Sequence, residues 1–170
     1  MMNAKEKQTE FIKGYLKPKL KDEGFGTSGQ TWWKNKGDFF IVINLQNSQW
    51  NSKDELSFCF NIGIALTDRL KDSAKKKATY NDIITNLRES AYLSKDRQKH
   101  KYRQDGWLGY LLTDKTDLAD FTNELRFDIE NEILPRLNRL NNLDDCLDYY
   151  KDFEFWGENL RKLINNMTNK

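Results

Sequence analysis

The chain has 170 residues, 38% of them hydrophobic and 13% aromatic, and a net charge of +2; this length fits a single domain over 1–170, and the aromatic content excludes disorder throughout. No apolar run approaches the roughly 18 residues of a membrane span. The polar N-terminus MMNAKEKQTE lacks a signal-peptide pattern, so we expect a soluble, cytoplasmic protein with no membrane partner. Cys59 and Cys146 are then reduced and, without CxxC spacing, read as small buried hydrophobes.

Residues 5–23 place Phe11, Ile12, Tyr15, Leu16 and Leu20 at helical spacing, predicting an amphipathic helix that ends at Gly24. Pro18 lies inside it and predicts a kink near Gly14 or a break. The letters GFGTSG at 24–29 match GxGxxG, but here the glycines follow a helix and precede a strand. That reverses the dinucleotide-binding order, so they read as a flexible turn. Strands follow at 31–36 and 39–45, joined by Lys36-Gly37-Asp38, and Trp32 and Trp33 must point to opposite faces. After the spacer QNSQWNSKDE, the large residues Leu56, Phe58, Phe60, Ile62, Ile64 and Leu66 alternate with Ser57, Cys59, Asn61, Gly63 and Ala65. A long hairpin results, with one face for the core and a second face of small and amide residues. Ile83, Ile84 and Leu87 predict a short helix, and 91–93 and 106–112 read as two further strands joined by the basic connection SKDRQKHKYRQD.

Beyond Thr113 the period changes to 3.6, with Leu118, Phe121, Leu125, Ile129, Ile133, Leu137 and Leu140 in one stripe that bends or restarts at Leu134, ahead of Pro135. Shorter helices are expected at 143–150 and 155–167, with fraying after Asn165. The class is α+β: an antiparallel sheet of about five strands, a long N-terminal helix, and a C-terminal helical region packed mainly on one face.

Charge is unevenly spread: 69–103 holds 11 Lys or Arg against 4 acids, and 104–140 holds 4 against 8, predicting a polarised molecule. His100 is the only histidine and lies in the basic connection, which excludes a His-pair metal site. Asp144, Asp148 and Asp152 share one helix face, but no oxygen-rich loop joins them. With no P-loop, HExxH, GxSxG or zinc-ribbon spacing, we assign no catalytic residue, metal or cofactor.

Three readings remain. The first is a non-enzymatic protein- or peptide-binding module using the second sheet face, with Trp32, Trp33, Asn44, Gln46, Trp50 and Asn61 as candidates, because small residues leave room for a groove and amides supply donors and acceptors. Against it stands an amide row satisfied by its own neighbours. The second is nucleic-acid binding through 94–105, using Lys95, Arg97, Lys99, Lys101 and Arg103 with Tyr102 among them; against it stands a solvated loop. The third is a small-molecule enzyme whose site is assembled from distant residues, such as Asp144 or Glu132 with Tyr102.

The segments FIKGYLKPKLKDEGF, TWWKNKGDFFIVINLQNSQWN and SFCFNIGIAL, with the later ILPRL, give an order of helix, INLQ strand, NLGI-like strand and LP-containing helix. This order resembles a bacterial domain-of-unknown-function family over the first two thirds of the chain and the LP helix. The resemblance implies the fold and supplies no activity. Residues 88–112 depart from it, since a strand expected to be basic and apolar reads ESAYLSKDRQKHKYRQ here.

Overall fold

A computed structural model describes residues 1–72, 74, 76–104 and 109–169. Helical backbone begins at α1 (Ala4–Phe11), where Asn3 and Glu6 form a reciprocal capping box, and runs through a π-helical turn, Ile12–Leu16, into α2 (Lys17–Asp22). The chain answers Pro18 by widening. Proline offers no N–H and crowds the carbonyl four residues back; the amide of Lys17, just before it, donates to Ile12 five residues back. The same device recurs ahead of Pro135. There α3 (Leu118–Phe127) passes into a π turn, Asp128–Ile133, the amide of Leu134 donates to Ile129, and α4 (Leu134–Asn138) restarts with the proline in its first turn.

The sheet is antiparallel with six strands: β1 (Gly26–Ser28), β2 (Thr31–Asn35), β3 (Phe39–Asn47), β4 (Glu55–Leu66), β5 (Leu87–Arg88) and β6 (Tyr110–Thr113). Its order is β1-β2-β3-β4-β5, and β6 pairs with the first part of β4 along the edge that β5 uses further on. Between them, the Phe60 amide would lack a partner. The carboxylate of Glu89 accepts from it at 2.8 Å, and Glu89 in turn is buried against Arg103.

The expected alternation holds along β4. Phe58, Phe60, Ile62, Ile64 and Leu66 are buried in one core with Phe39, Ile41, Ile43, Leu45 and Trp32, beneath Phe11, Phe121, Leu125 and Ile129. Phe11, Phe58 and Phe121 meet with ring centroids 5.6–6.3 Å apart. Helices α5 (Leu143–Tyr150) and α6 (Glu154–Thr168) complete this layer; Cys146 and Tyr150 are fully buried, and the Tyr150 hydroxyl meets that of Tyr92 at 2.6 Å. Helix α6 continues three residues past the point where fraying was expected. No described helix is long and apolar enough to cross a membrane.

Several local expectations are corrected. GFGTSG is not wholly a turn, because 26–28 pair with β2 as a strand. No helix forms at 83–88: Ile84 donates to the Ile64 carbonyl, Thr85 accepts from the Ile64 amide, and Leu87–Arg88 join the sheet. The long strand β4 needs partners for its edge, and this outweighs a weak helical spacing of three residues. Residues 91–93 are not a strand either, since Glu89–Tyr92 form a 3₁₀ turn. Of the strand expected at 106–112, residues 106–108 lie outside the described residues, and 110–112 fall in β6.

Candidate functional site

Strand pairing fixes what the second face carries. Trp33 pairs with Val42, Asn44 with Asn61, Gln46 with Cys59, and Asn61 with Arg88, so these side chains share the face opposite the main core. The face is divided in two. At one end Phe40, Val42 and Ala65 form a second small core with Trp33 of β2 and with Leu70, Ala78 and Ile83, the last three supplied by the chain's own connection 67–86. The room left by the small residues is taken up there. A Cβ on Gly63 would lie 2.2 Å from the Thr85 carbonyl, so only glycine lets the connection press this close.

At the other end the face is polar and open. Thr31 accepts from the Asn44 amide at 2.9 Å, and the Asn61 amide donates to both Asn44 (3.1 Å) and Gln46 (2.8 Å), a hydrogen-bonded row across β2, β3 and β4. Asn61 is buried and Asn44 half-buried, so the row is largely satisfied by its own neighbours, while Gln46 is exposed. Beyond it lies a groove of about 540 Å³ whose lining includes Gln46, Ser48, Trp50, Ser57, Cys59 and Arg88. Its far wall is the spacer loop, where the Asn51 side chain exchanges two hydrogen bonds with the Ser57 backbone and so extends the ladder by one step. This anchored loop carries Trp50, 85% exposed, to the rim.

Arg88 is the charged residue in this groove among the described residues. It is half-buried, its guanidinium donates to the Cys59 sulfur, and no described carboxylate pairs with it. Burial, with the nearby Glu89 charge, pushes the Cys59 thiol up to about 11, so it stays protonated at neutral pH and serves as a weak acceptor and not a nucleophile. Cys146, likewise buried, is pushed up to about 12.

Of the six residues proposed for this face, Gln46 and Trp50 line the groove, Asn44 and Asn61 form its supporting row, and Trp33 is drawn under the covered end. Trp32 belongs to the other face, paired with Ile43 and 1% exposed in the main core. Arg88 was missed. It sits in a two-residue strand, too short to carry a period, inside a segment read as helix.

The basic connection is largely occupied. Arg97 donates to Asp128 (2.7 Å) and Glu124 (3.0 Å), Lys101 pairs with Asp120, and Arg103 with Glu89. Lys95 and Lys99 are exposed and have no carboxylate partner among the described residues. Part of the charge segregated along the chain thus pairs in space, Arg97 and Lys101 meeting the acidic residues Glu124, Asp128 and Asp120. His100 is anchored too: its Nε2 lies 2.8 Å from Asp128, which also accepts from the Tyr110 hydroxyl at 2.9 Å. For the assembled-enzyme reading, Tyr102 donates to Asp120 at 2.6 Å and Glu132 accepts from Ser94 and Arg136, while Asp144 is exposed on α5. No hydrogen bond or ion pair joins Tyr102 to Glu132 or Asp144. Among the described residues no group of three or more His, Cys, Asp or Glu could hold a metal.

A family model described as a domain of unknown function, DUF4304, matches residues 16–139, more than half of the chain. No curated protein and no solved structure matches it.

Proposed function

The chain belongs to the DUF4304 family of domains of unknown function, and from its geometry we propose that it is a non-enzymatic binding module that takes a peptide segment carrying a carboxylate into the open half of the second sheet face. The observation that carries this reading is Arg88. A guanidinium half-buried in a groove of about 540 Å³, with a thiol and amides for neighbours and no described carboxylate partner, has donors to spare in the fork geometry that suits a carboxylate. Trp50 on the rim supplies a rigid apolar surface of the kind that anchors interfaces, and Gln46 supplies an exposed amide to pair with a peptide backbone. Catalytic chemistry is not part of the proposal, because the thiol in the groove is protonated and no histidine lines it.

Selection of a displayed random-peptide library on the immobilised protein tests this. Peptides rich in Asp and Glu next to an aromatic or aliphatic residue should be enriched on the wild type and lost on Arg88→Met, with weakened recovery on Trp50→Ala. Enrichment that is indifferent to acidic residues, or that survives Arg88→Met, would overturn the assignment. Nucleic-acid binding through 94–105 has less support, since Arg97, Lys101 and Arg103 are already held by carboxylates and Lys95 and Lys99 alone remain for phosphates.

A further inference from the structure

The amide row behind the open groove has a direction. It is set beside β2, where the Asn44 amide nitrogen donates to the Thr31 hydroxyl (2.9 Å) and to the Gln30 carbonyl (3.5 Å). A backbone carbonyl only accepts, so the Asn44 nitrogen must lie on that side and its oxygen must face Asn61. The Asn61 nitrogen turns toward that oxygen at 3.1 Å, and its other N–H donates to the Gln46 side-chain oxygen at 2.8 Å. Asn61 is 2% exposed, so little water competes for these bonds.

The last member of the row is thereby left one-sided. Gln46 is exposed and lines the groove of about 540 Å³. With its oxygen engaged by Asn61, it keeps two N–H donors, and neither has an acceptor among the described residues. Arg88, which pairs with Asn61 in the sheet, is also a donor and never an acceptor, and its guanidinium reaches Cys59, the cross-strand partner of Gln46. Guanidinium and amide thus flank one thiol and present donors alone.

Resting on the reading of this groove as a carboxylate site, we propose that Gln46, positioned by Asn61, is a specificity-determining residue that admits a carboxylate and rejects the isosteric carboxamide. One carboxylate oxygen accepts from Arg88 and the other from a Gln46 N–H, while the second N–H is left for a backbone carbonyl of the peptide. A carboxamide brings its own NH₂ against one of these donors, which leaves donors on both sides without an acceptor. Arg88 favours the carboxylate by charge, and Gln46 adds an exclusion by geometry.

The test uses the full ¹⁵N-labelled chain and two end-blocked dipeptides, acetyl-Trp-Glu-amide and acetyl-Trp-Gln-amide, which differ only in carboxylate against carboxamide. The Gln46 side-chain resonances are assigned by their loss in Gln46→Met, and the Arg88 Nε–H by its loss in Arg88→Met. The Glu dipeptide should shift both saturably with one midpoint, and the Gln dipeptide should bind about tenfold or more weakly. In Gln46→Met, a change at an exposed position, the preference for the Glu dipeptide should fall about five- to tenfold. Asn61→Leu frees the Gln46 oxygen to turn to the groove and should lower the preference likewise, whereas a merely structural role would weaken both dipeptides alike. If the Glu dipeptide moves the Arg88 resonance but not those of Gln46, or Gln46→Met keeps the full preference, the role of Gln46 is overturned and the carboxylate reading of Arg88 stands. If the Glu dipeptide moves neither, the groove takes no carboxylate and both are overturned.

Discussion

Phe60 and Cys59 are neighbours in β4 with opposite fates, since one fills the main core and the other faces the groove of Arg88. This parity fixes the second face, because a slip of one residue would exchange every side chain between core and groove. Phe60→Ala should therefore destabilise by about 3–5 kcal/mol in a urea melt, while Lys76→Ala on the exposed surface should change stability by less than about 0.5 kcal/mol. A Phe60→Ala melt that matches the wild type would contradict the register. At this scale the alternation from Leu56 to Leu66 made the core legible from the sequence. What it concealed was Arg88, and the use of Gly63 and Ala65: small residues signal close approach, and nothing in their spacing tells whether a ligand or the chain itself approaches.

The connection 67–86 decides how much of the face remains open. It is held down at Asp82, whose carboxylate accepts from the Lys71 and Thr79 amides and the Thr79 hydroxyl at 2.8–2.9 Å. Burial pushes this carboxyl up, but the three hydrogen bonds prevail and leave it below the ordinary range. A lowered pKa in the folded state means that the stabilisation is complete above the unfolded value of about 4 and is lost as pH falls through the folded value. Asp82→Asn should thus cost about 1–3 kcal/mol at neutral pH. The gap from the wild type should narrow between about pH 5 and about pH 2 in parallel melts, and a gap independent of pH would contradict this role. Elements with a sustained period, the α3 stripe and α1 with α2, were legible. The connection was not, because its position depends on β4's need for edge partners, a demand made from more than twenty residues away in sequence. Both prolines were legible as disturbances, and their resolution into π turns follows from helical continuity on either side.

At the scale of the molecule, one helical layer covers one whole face of the sheet and a short connection covers half of the other, while the pairing of Arg97, Lys101 and Arg103 with carboxylates takes up most of the basic connection's charge. On the second face, what is left open among the described residues is the polar half with the Arg88 guanidinium. The most direct measurement is a double-mutant cycle between Arg88→Met and a selected peptide in which the acidic residue is replaced by its amide, read as four affinities. The carboxylate and Arg88 should show a coupling of about 1.5–3 kcal/mol, so that once either is changed, changing the other costs little more. If the two losses simply add, the carboxylate does not meet Arg88, and the open half-face is not the site where the peptide is read.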